Sequence, residues 1–510
     1  MTRPDGSTHR RAEPTRRAPA RTAARRGLAL AALGVWASVR LATAQCPDGT
    51  PPPCGRPGGP SGNSVAVLVF EDRARDSSLT LLAEGLADQI TTNLAQIRRL
   101  DVRSSASVQS VLQRGSREPR RIGQALGARW LVDGAMLPGA ARVRISVQLV
   151  EAATGRVRWS ATYQRPTDDL FGLIAAVSDS VAMAITGELA PAERAALAAR
   201  PTRSAGAYDA FVRAEALARR NGFVNLRHAV AGYEDAIAQD SGFAAAWAGL
   251  AWVWMYHDQY YPPRAVYPEA RQAADRALAL DSALAAALIA RSAIATWFDY
   301  DYARGERLAR AALARETRNA RGHLALSFAL MALGRVQEAA AEARAAGAID
   351  TLDAPLLGDV ANVLLVTGHA DEAYGALRAA RTASGDSLMY GFMAAQILLA
   401  EGRCGPDAAG LDDFIGPACR SGQAAEHRVA DSVAAATTRG DGRFFQAHWL
   451  AEAYAAAGDR DETLRWLERA LEERAFFGLI ATRPLYAFLR DEPRFQAILR
   501  EAHIPVPAGP

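Results

Sequence analysis

The sequence predicts an α+β domain near its amino terminus, followed by an all-α stack of helical repeats. Three observations predict this arrangement. An apolar run that begins at Val65 leads into an amphipathic helical pattern, the segment "RVRISVQLV" alternates like a strand with one exposed face, and Gly334, Gly368 and Gly402 are 34 residues apart. With 510 residues the chain is also too long for one ordinary core, so at least two domains are expected.

The positive charge of the chain is concentrated at its amino terminus. Residues 1–44 hold nine arginines against Asp5 and Glu13, a formal charge of +7, whereas the whole chain carries +4. The remaining residues therefore carry −3. Because the basic segment has the features of an export signal, the high isoelectric point does not indicate a nucleic-acid partner.

Residues 1–44 are predicted to be an export signal. Two arginines precede the apolar segment 27–39, and the small residues "ATA" precede Gln45. The apolar segment is short for a membrane span, but an uncleaved signal anchor is the alternative. We therefore expect the bulk of the chain in the periplasm or at the cell envelope, with membrane association if the signal is retained.

The four cysteines agree with an oxidising compartment. Cys46 and Cys54 lie in the Pro/Gly-rich segment 45–63, which is predicted to be a linker, and Cys404 and Cys419 lie together much later. Two local disulfides are the simplest interpretation. Zinc is the competing one, although neither spacing resembles a paired zinc knuckle.

The sequence contains no lysine. P-loop nucleotide hydrolysis, kinase-type phosphate pairing and Schiff-base chemistry normally need a lysine ammonium at the reacting centre. These enzyme classes are therefore excluded.

The segment from Ser64 to about residue 127 predicts alternating strands and helices. Val65–Phe70 is a continuous apolar run, as expected for a central strand that is covered on both faces. "DVRSS" resembles a second short strand, and Pro119 begins a short helix that ends at Gly127. The helix after the first strand has Ser77 or Ser78 as a candidate cap and a stripe of apolar residues at three- and four-residue steps: Leu79, Leu82, Leu86, Ile90, Leu94 and Ile97.

Three strands and a helix complete this domain. "RWLVDGAML" is followed by "RVRISVQLV", in which Val143, Ile145, Val147 and Leu149 are expected on one face. A turn at Thr154-Gly155 leads to a partner strand that carries Val157, Trp159 and Tyr163. A helix from about Asp168 to Leu189 follows.

The order of these segments resembles the TolB-like amino-terminal α/β domain that precedes tetratricopeptide repeats in bacterial proteins. The strings "AEGLADQI", "ALGARWLVDG" and "QLVEAATG" carry the resemblance, and the predicted domain covers residues 64–190. It implies a mixed sheet with flanking helices. The partner domains that often accompany this module, such as a cyclase, kinase or DNA-binding domain, are not visible in the sequence.

Residues 206–475 predict helical repeats, and residues 476–510 predict capping helices and a tail. Gly458 repeats the turn of Gly334, Gly368 and Gly402 later in the chain, and the residues four before these glycines are Leu330, Leu364, Leu398 and Tyr454. A small residue recurs in the second helix of each pair (Ala236, Ala277, Ala312, Ala346, Ala380 and Ala470). These residues and "WAGLAWVW" resemble tetratricopeptide repeats. The resemblance implies a curved solenoid with a concave groove.

Aromatic residues around a seven-residue insertion in the second repeat are the candidate binding residues. They are Trp254, Tyr256, Tyr260, Tyr261, Tyr267 and Trp297. Packing in the repeat core is the competing explanation for those on helices. Tyrosines in the insertion could instead clamp a peptide or stack on a sugar.

No motif predicts catalysis. Glu71 and Asp72 lie at the mouth of the first strand, but no lysine, histidine or further acid cluster is placed to work with them, so exposed residues of a strand-to-helix turn are expected. Asp299 and Asp301 do not have EF-hand spacing. We predict no catalytic residues, no metal and no cofactor. The expected function is a non-enzymatic scaffold for a protein or peptide partner, with a glycan- or small-ligand-binding sensor as the alternative; the sequence does not indicate an oligomeric state.

Overall fold

The computed structural model describes residues 61–72, 77–138, 142–166, 169–220, 222–384, 428, 431, 434–435, 446–475, 480 and 483–505. The predicted export signal, most of the linker and all four cysteines of the predicted disulfides lie outside these residues. Gly402 and Leu398 of the repeat pattern also lie outside them.

The amino-terminal domain is built on one mixed sheet. Its strands are β1 (Ser64–Val67), β2 (Glu71–Asp72), β3 (Asp101–Val102), β4 (Trp130–Pro138), β5 (Arg142–Glu151) and β6 (Arg156–Pro166). The order is β3-β1-β4-β5-β6, and β2 pairs separately with β4. The pairs β1·β3, β1·β4 and β2·β4 are parallel, whereas β4, β5 and β6 form the predicted antiparallel meander. The predicted mixed sheet is confirmed.

The first strand is shorter than its apolar run predicts. β1 is central and fully buried, as expected, but it ends at Val67. The chain leaves the ladder there, and the ring of Phe70 is buried beside Gly134 of β4. Glu71 and Asp72 then form β2 opposite Ala135 and Met136, so they are not the strand-to-helix turn that the sequence predicts.

The meander has the predicted alternation on β5 but not throughout β6. On β5, Val143, Ile145, Val147 and Leu149 are buried and Arg142 and Arg144 are exposed. A bulge opposite Leu149 and Val150 adds one residue to β6, so Trp159 pairs with Leu149 and Val157 pairs with Val150. Val157 is consequently 53% exposed and does not share the buried face of Trp159.

In the described residues, five helices complete the domain and connect it to the repeats: α1 (Ser77–Ala95), α2 (Ser105–Gln113), α3 (Pro119–Leu126), α4 (Leu170–Thr186) and α5 (Pro191–Ala198). The predicted stripe of α1 is buried from Leu82 to Ile97, because it packs on the sheet and on α4. α3 begins at Pro119, whose missing N–H costs nothing there, and ends at Gly127 in the left-handed conformation.

In the rest of the described residues, most helices form antiparallel hairpins. The first five are α6 (Ala205–Arg220) with α7 (Phe223–Gln239), α8 (Ala244–Tyr256) with α9 (Pro263–Leu280), α10 (Ala285–Trp297) with α11 (Tyr302–Arg315), α12 (Ala320–Ala332) with α13 (Val336–Ile349), and α14 (Ala354–Val366) with α15 (Ala370–Ser384). A further hairpin follows, α16 (Ala447–Ala456) with α17 (Arg460–Glu472), and then a 3-10 turn (Pro484–Leu489) and α18 (Pro493–Glu501). The predicted helical solenoid is confirmed in these residues.

The repeat pattern has a direct structural cause. The six recurring alanines of the second helices are all 0% exposed, because the two helices of each hairpin approach each other there. Gly334, Gly368 and Gly458 each have a positive φ between the helices of a hairpin, a conformation that other residues rarely adopt.

The last helices pack back onto the middle of the stack. The Tyr300 hydroxyl donates to the carbonyl oxygen of Ala475 at 2.7 Å, and the Tyr302 hydroxyl donates to that of Ala502 at 2.6 Å. Phe495 and Leu499 of α18 belong to the same buried cluster as these tyrosines. The apolar residues expected to cap the stack are buried, except that Phe488 is 39% exposed. The buried ones are Leu485, Leu489, Phe495, Ile498 and Leu499.

The α/β domain contacts the hairpin stack at three places that are far apart in sequence. Helix α1 packs along α6, Asp101 pairs with Arg318 before α12 at 2.9 Å, and α2 contacts α15. At the last contact the Ser110 hydroxyl donates to the carbonyl oxygen of Ala383 at 2.6 Å. The domain is therefore attached to both the first and the fifth hairpin. Among the described residues, no helix is long and apolar enough to cross a membrane.

Candidate functional site

The six aromatic candidates do not form one site. Tyr267 is 3% exposed, stacks on Phe298 at 5.2 Å and cannot contact a partner in this conformation. Trp297 packs edge-on against Phe328 at 5.6 Å, next to the repeat core. The other four divide among three surfaces.

Trp254 lies on the side of α8 that faces the second helices of the hairpins. With Trp247 it lines an open groove between α7 and α9, together with Glu234 and Glu269. Its ring is 5.3 Å from that of His257.

Tyr260 and Tyr261 lie in the insertion, next to the first residue of α7. The Phe223 ring is 5.2 Å from Tyr260 and 6.2 Å from Tyr261, and the guanidinium of Arg227 covers Phe223. Phe223 and Tyr261 are 36% and 40% exposed. We name Phe223, Tyr260 and Tyr261 the insertion patch.

Tyr256 belongs to a different surface, on the inner side of the stack. The Arg321 guanidinium on α12 donates to the Tyr256 hydroxyl at 2.9 Å and lies 5.7 Å from the centre of the Trp252 ring. Trp252 and Tyr256 are 6.1 Å apart on α8. Because α10 lies between α8 and α12 in the stack, these side chains meet on the face where the first helices of successive hairpins converge.

Carboxylates surround this contact. Asp258 follows α8, Asp353 caps α14 by accepting from the Leu356 N–H at 3.2 Å, and Asp359 lies on the next turns of α14. We name Trp252, Tyr256, Asp258, Arg321, Asp353 and Asp359 the inner-face cluster. Arg321 is exposed and forms no ion pair within 4.0 Å with any described residue.

The acids of the cluster hold their protons unusually tightly. Burial raises the pKa of Asp258 to about 7, against the opposing hydrogen bond that the Tyr267 hydroxyl donates at 3.2 Å. Burial also raises the pKa of Asp359 to about 7, with a further contribution from the charges of Asp353 and Asp258, while Arg321 opposes the shift. Both residues are nevertheless partly exposed.

The sequence pattern did not point to Arg321, Asp258 or Asp359. A signal exists, because Arg321 and Asp359 are charged residues within the otherwise apolar first helices "ARGHLALSFALMA" and "APLLGDVANVLLV". Their proximity could not be inferred, since Tyr256 and Arg321 are 65 residues apart.

A second cleft lies at the carboxyl end of β1, where open α/β sheets often bind ligands. It is lined by Val67, Asp88, Ser105 and Gln109 of the domain, and Arg219 of α6 reaches into it and pairs with Asp88. Burial raises the pKa of Asp88 to about 6, although Arg219 opposes the shift. The chain itself therefore occupies this cleft.

Glu71 and Asp72 take part in local structure. Asp72 accepts a hydrogen bond from the Thr80 hydroxyl of α1 at 3.0 Å, and Glu71 is exposed. Among the described residues, no group of three or more histidine, cysteine, aspartate or glutamate side chains is arranged to hold a metal ion.

Comparisons with known proteins give partial matches. No family model matches the chain. The protein named putative adenylate cyclase 3 from Rhizobium meliloti (strain 1021) is 27% identical over 193 residues, which are 38% of this chain and 32% of that protein. The chain thus spans about a third of the length of this relative.

Solved structures of repeat proteins are also similar. The thermophilic TPR protein TTC0263 from Thermus thermophilus covers 38% of this chain and 99% of its own, with 16% identity and a TM-score of 0.33. PilW, a type IV pilus biogenesis factor, covers 57% and 98%, with 14% identity and a TM-score of 0.31. YrrB, a TPR protein with an unusual peptide-binding site, covers 35% and 87%, with 17% identity and a TM-score of 0.24.

Proposed function

We propose that this protein is a non-enzymatic interaction scaffold that holds a protein or peptide partner on the inner face of its helical repeats. The observation that carries the proposal is the inner-face cluster. Its two aromatic rings on α8 are partly exposed, and its arginine on α12 is exposed. The arginine contacts both rings, so side chains from two hairpins form one accessible surface. Aromatic and arginine side chains together are typical of the residues that dominate binding energy in protein interfaces.

The attachment of the α/β domain supports this proposal. Hydrogen bonds and ion pairs join the domain to the first, fourth and fifth hairpins. A repeat stack that is held at its first, fourth and fifth hairpins changes shape less between them, so less conformational entropy is lost when a partner binds there.

Affinity capture with the full chain tests the scaffold. The bait is compared with a Trp252→Ala, Arg321→Ala double variant and with a Phe223→Ser, Tyr261→Ser control that alters only the insertion patch. We expect a protein that is captured by the wild type and by the control, and that is lost with the double variant. Equal capture by all three baits, or no protein partner at all, would overturn the proposal.

A glycan- or small-ligand-binding sensor is the second candidate. The insertion patch favours it, because exposed aromatic rings can stack on sugar faces. A glycan array would then show binding that is lost in the Phe223→Ser, Tyr261→Ser control and kept in the inner-face double variant.

The similarity to a putative adenylate cyclase suggests the competing enzymatic function. The match covers only 32% of that protein. Incubation of the purified chain with ATP and Mg²⁺ or Mn²⁺ tests for this activity, and formation of cyclic AMP would make the protein an enzyme.

We further propose that the protein works at the cell envelope, that its α/β domain is TolB-like and that its cysteines form two local disulfides. The arginine-flanked apolar segment 27–39, the strings that carry the resemblance and the spacing of the cysteine pairs support these proposals. Fractionation of cells and mass spectrometry of the non-reduced mature chain would test the location and the disulfides.

A further inference from the structure

The inner-face cluster has more negative charge than its own cation can neutralise. Asp353 and Asp359 lie near the guanidinium of Arg321, and Asp258 lies near Asp359, so that the charges of Asp353, Arg321 and Asp258 all act on Asp359. Glu215 of α6 adds a fourth carboxylate on this side. Tyr256, Asp353 and Glu215 all raise the pKa of Arg321, and Tyr256 has the largest effect. Within the described residues the surface is therefore acidic.

The four carboxylates differ in their hydrogen-bond and ion-pair partners. Asp353 accepts from the N–H of Leu356, and Asp258 accepts from the hydroxyl of Tyr267. Glu215 accepts from the Tyr233 hydroxyl at 2.5 Å and lies 3.9 Å from Arg219. Asp359 has no hydrogen bond or ion pair with a described residue, although it is partly buried. A carboxylate in such surroundings gains from a cation that a partner supplies.

The aromatic side of the cluster already holds one cation. The Arg321 guanidinium lies over the Trp252 ring in a cation–π contact and donates a hydrogen bond to the Tyr256 hydroxyl. Aromatic faces on one side and unneutralised carboxylates on the other form a surface that is complementary to an arginine or lysine side chain, and repulsive to acidic peptides and to nucleic acids.

We propose that the inner-face cluster binds a peptide segment of the partner through an arginine or lysine side chain, whose cation pairs with Asp258 and Asp359 beside Trp252. This inference rests on the proposed function and names the chemistry of its partner. The peptide lies along the first helices of the hairpins, and its basic side chain provides the charge that the cluster lacks.

Proton release accompanies this binding. Asp258 and Asp359 are each about half protonated at pH 7, because both have a pKa of about 7. Asp258 is faced by the Tyr267 hydroxyl and by Asp359; Asp359 is faced by Asp258, Asp353 and Arg321. A bound cation favours the ionised form of both acids, so up to about one proton leaves at pH 7 and affinity falls as the pH is lowered from 8 to 6.

Immobilised nonapeptide libraries test the inference. Their flanking positions are randomised, and the central residue is arginine, lysine, citrulline, leucine or glutamate. Citrulline has the shape of arginine without its charge. We expect the full chain to bind the arginine and lysine libraries at least tenfold more than the citrulline and glutamate libraries.

The variants assign the preference to the cluster. Asp258→Asn with Asp359→Asn keeps the hydrogen-bonding shape and removes the charge, so the preference for arginine over citrulline should be lost. Asp235→Asn, which alters an exposed carboxylate of α7, should retain it. Unfolding curves confirm that both variants are folded. A preference that survives in the double variant would show that the cation binds elsewhere and would overturn the inference.

The remaining outcomes separate this inference from the proposed function. If the arginine and citrulline libraries bound equally and this binding were lost in Trp252→Ala, the proposed scaffold function would be supported. The proposed basic partner would then be wrong. Binding of no library would contradict both. If free arginine amide bound as tightly as the arginine peptides, the ligand would be a small amine and the proposed peptide would be wrong. Calorimetry of the strongest arginine peptide in Tris and in phosphate at pH 7 should report proton release, and an identical heat in the two buffers after correction for dilution would contradict the linkage.

Discussion

Gly85 of α1 and Val212 of α6 are in contact where the α/β domain meets the first hairpin. A Cβ atom at Gly85 would overlap both the side chain and the carbonyl oxygen of Val212. Beside this contact the Arg220 guanidinium forms two hydrogen bonds with the Glu84 carboxylate, at 2.8 and 3.0 Å. The two helices are therefore as close as a glycine allows, and the domain and the repeats share one buried core.

Gly85→Ala should separate these helices. Val212 presents backbone as well as side chain, so rotation of a side chain cannot relieve the overlap. We expect a loss of about 1 to 3 kcal/mol in the free energy of unfolding, as for other overpacked sites. Urea unfolding followed by circular dichroism measures it.

Gly375→Ala is the matched control. Gly375 also lies within a helix, α15, but no atom of another described residue is near enough to meet an added Cβ. Alanine there should increase stability by roughly 0.5 to 1 kcal/mol through its better helix propensity. If both substitutions were stabilising, α1 and α6 would not be in contact in solution.

Much of the fold could be predicted because its determinants are local. The alternation on β5, the apolar stripe of α1 and the recurring alanines each need only a few neighbouring residues to be recognised. The errors came from tertiary structure. Val157 is exposed because a bulge in the pairing with β5 changes its face, and Glu71 is in a strand because β4 extends far enough to pair with it.

The candidate site could be predicted only in part. An aromatic-rich region around α8 was evident, but Tyr267 proved to be packed inside and Tyr256 acquired partners from other hairpins. Arg321 and Asp359 approach Tyr256 and Asp258 only because the first helices of successive hairpins pack on one another, and a local sequence pattern does not specify that packing.

Removal of Arg291 should strongly destabilise the third hairpin. Its side chain is 2% exposed and pairs with Asp275 and with Asp299, at 2.8 Å in each case. Arg291→Ala leaves the largely buried Asp299 with Arg271 as its remaining partner, and it also leaves a cavity. We expect a loss of about 3 kcal/mol or more, measured by urea unfolding.

Arg344→Ala provides the comparison for an exposed ion pair. Arg344 forms two hydrogen bonds with Glu372, but both side chains are largely accessible. Water replaces the lost contact, so the change should stay below about 1 kcal/mol. A similar loss in the two variants would mean that the burial of Arg291 has no energetic consequence.

Ser107→Ala tests the attachment of the α/β domain to the later hairpins. The Ser107 hydroxyl donates to the buried carboxylate of Asp350 at 2.6 Å, and the same carboxylate oxygen accepts from the N–H groups of Leu352 and Asp353. Loss of this charged hydrogen bond should cost roughly 1.5 to 3 kcal/mol. Hydrogen exchange at Leu352 and Asp353 should also become faster.

Ser241→Ala, at an exposed position, serves as the control and should change stability by less than about 0.5 kcal/mol. Unchanged hydrogen exchange in Ser107→Ala would argue against the contact between Ser107 and Asp350.

Asp359→Asn should stabilise the protein, and the gain should depend on pH. An aspartate titrates near 3.8 in the unfolded chain, whereas burial and Asp353 raise the pKa of Asp359 to about 7 in the folded chain. The folded state therefore binds the proton more tightly than the unfolded state does. Consequently the free energy of unfolding of the wild type falls as the pH rises from about 4 to about 7. Asparagine remains uncharged at all of these pH values, so the variant does not lose stability in this way. Its advantage should consequently be absent below pH 4, grow through pH 5 and 6, and reach its maximum at pH 8.

Thermal unfolding of the wild type and of Asp359→Asn at pH 4, 6 and 8 measures this gain. Asp235→Asn, on an exposed face of α7, should show no comparable trend. The result also bears on binding, because the same uncompensated charge that lowers stability at pH 8 is the charge that a basic partner would neutralise. A gain in melting temperature that is equal at pH 4 and pH 8 would mean that Asp359 titrates normally, and the inner face would then have no excess of negative charge created by burial.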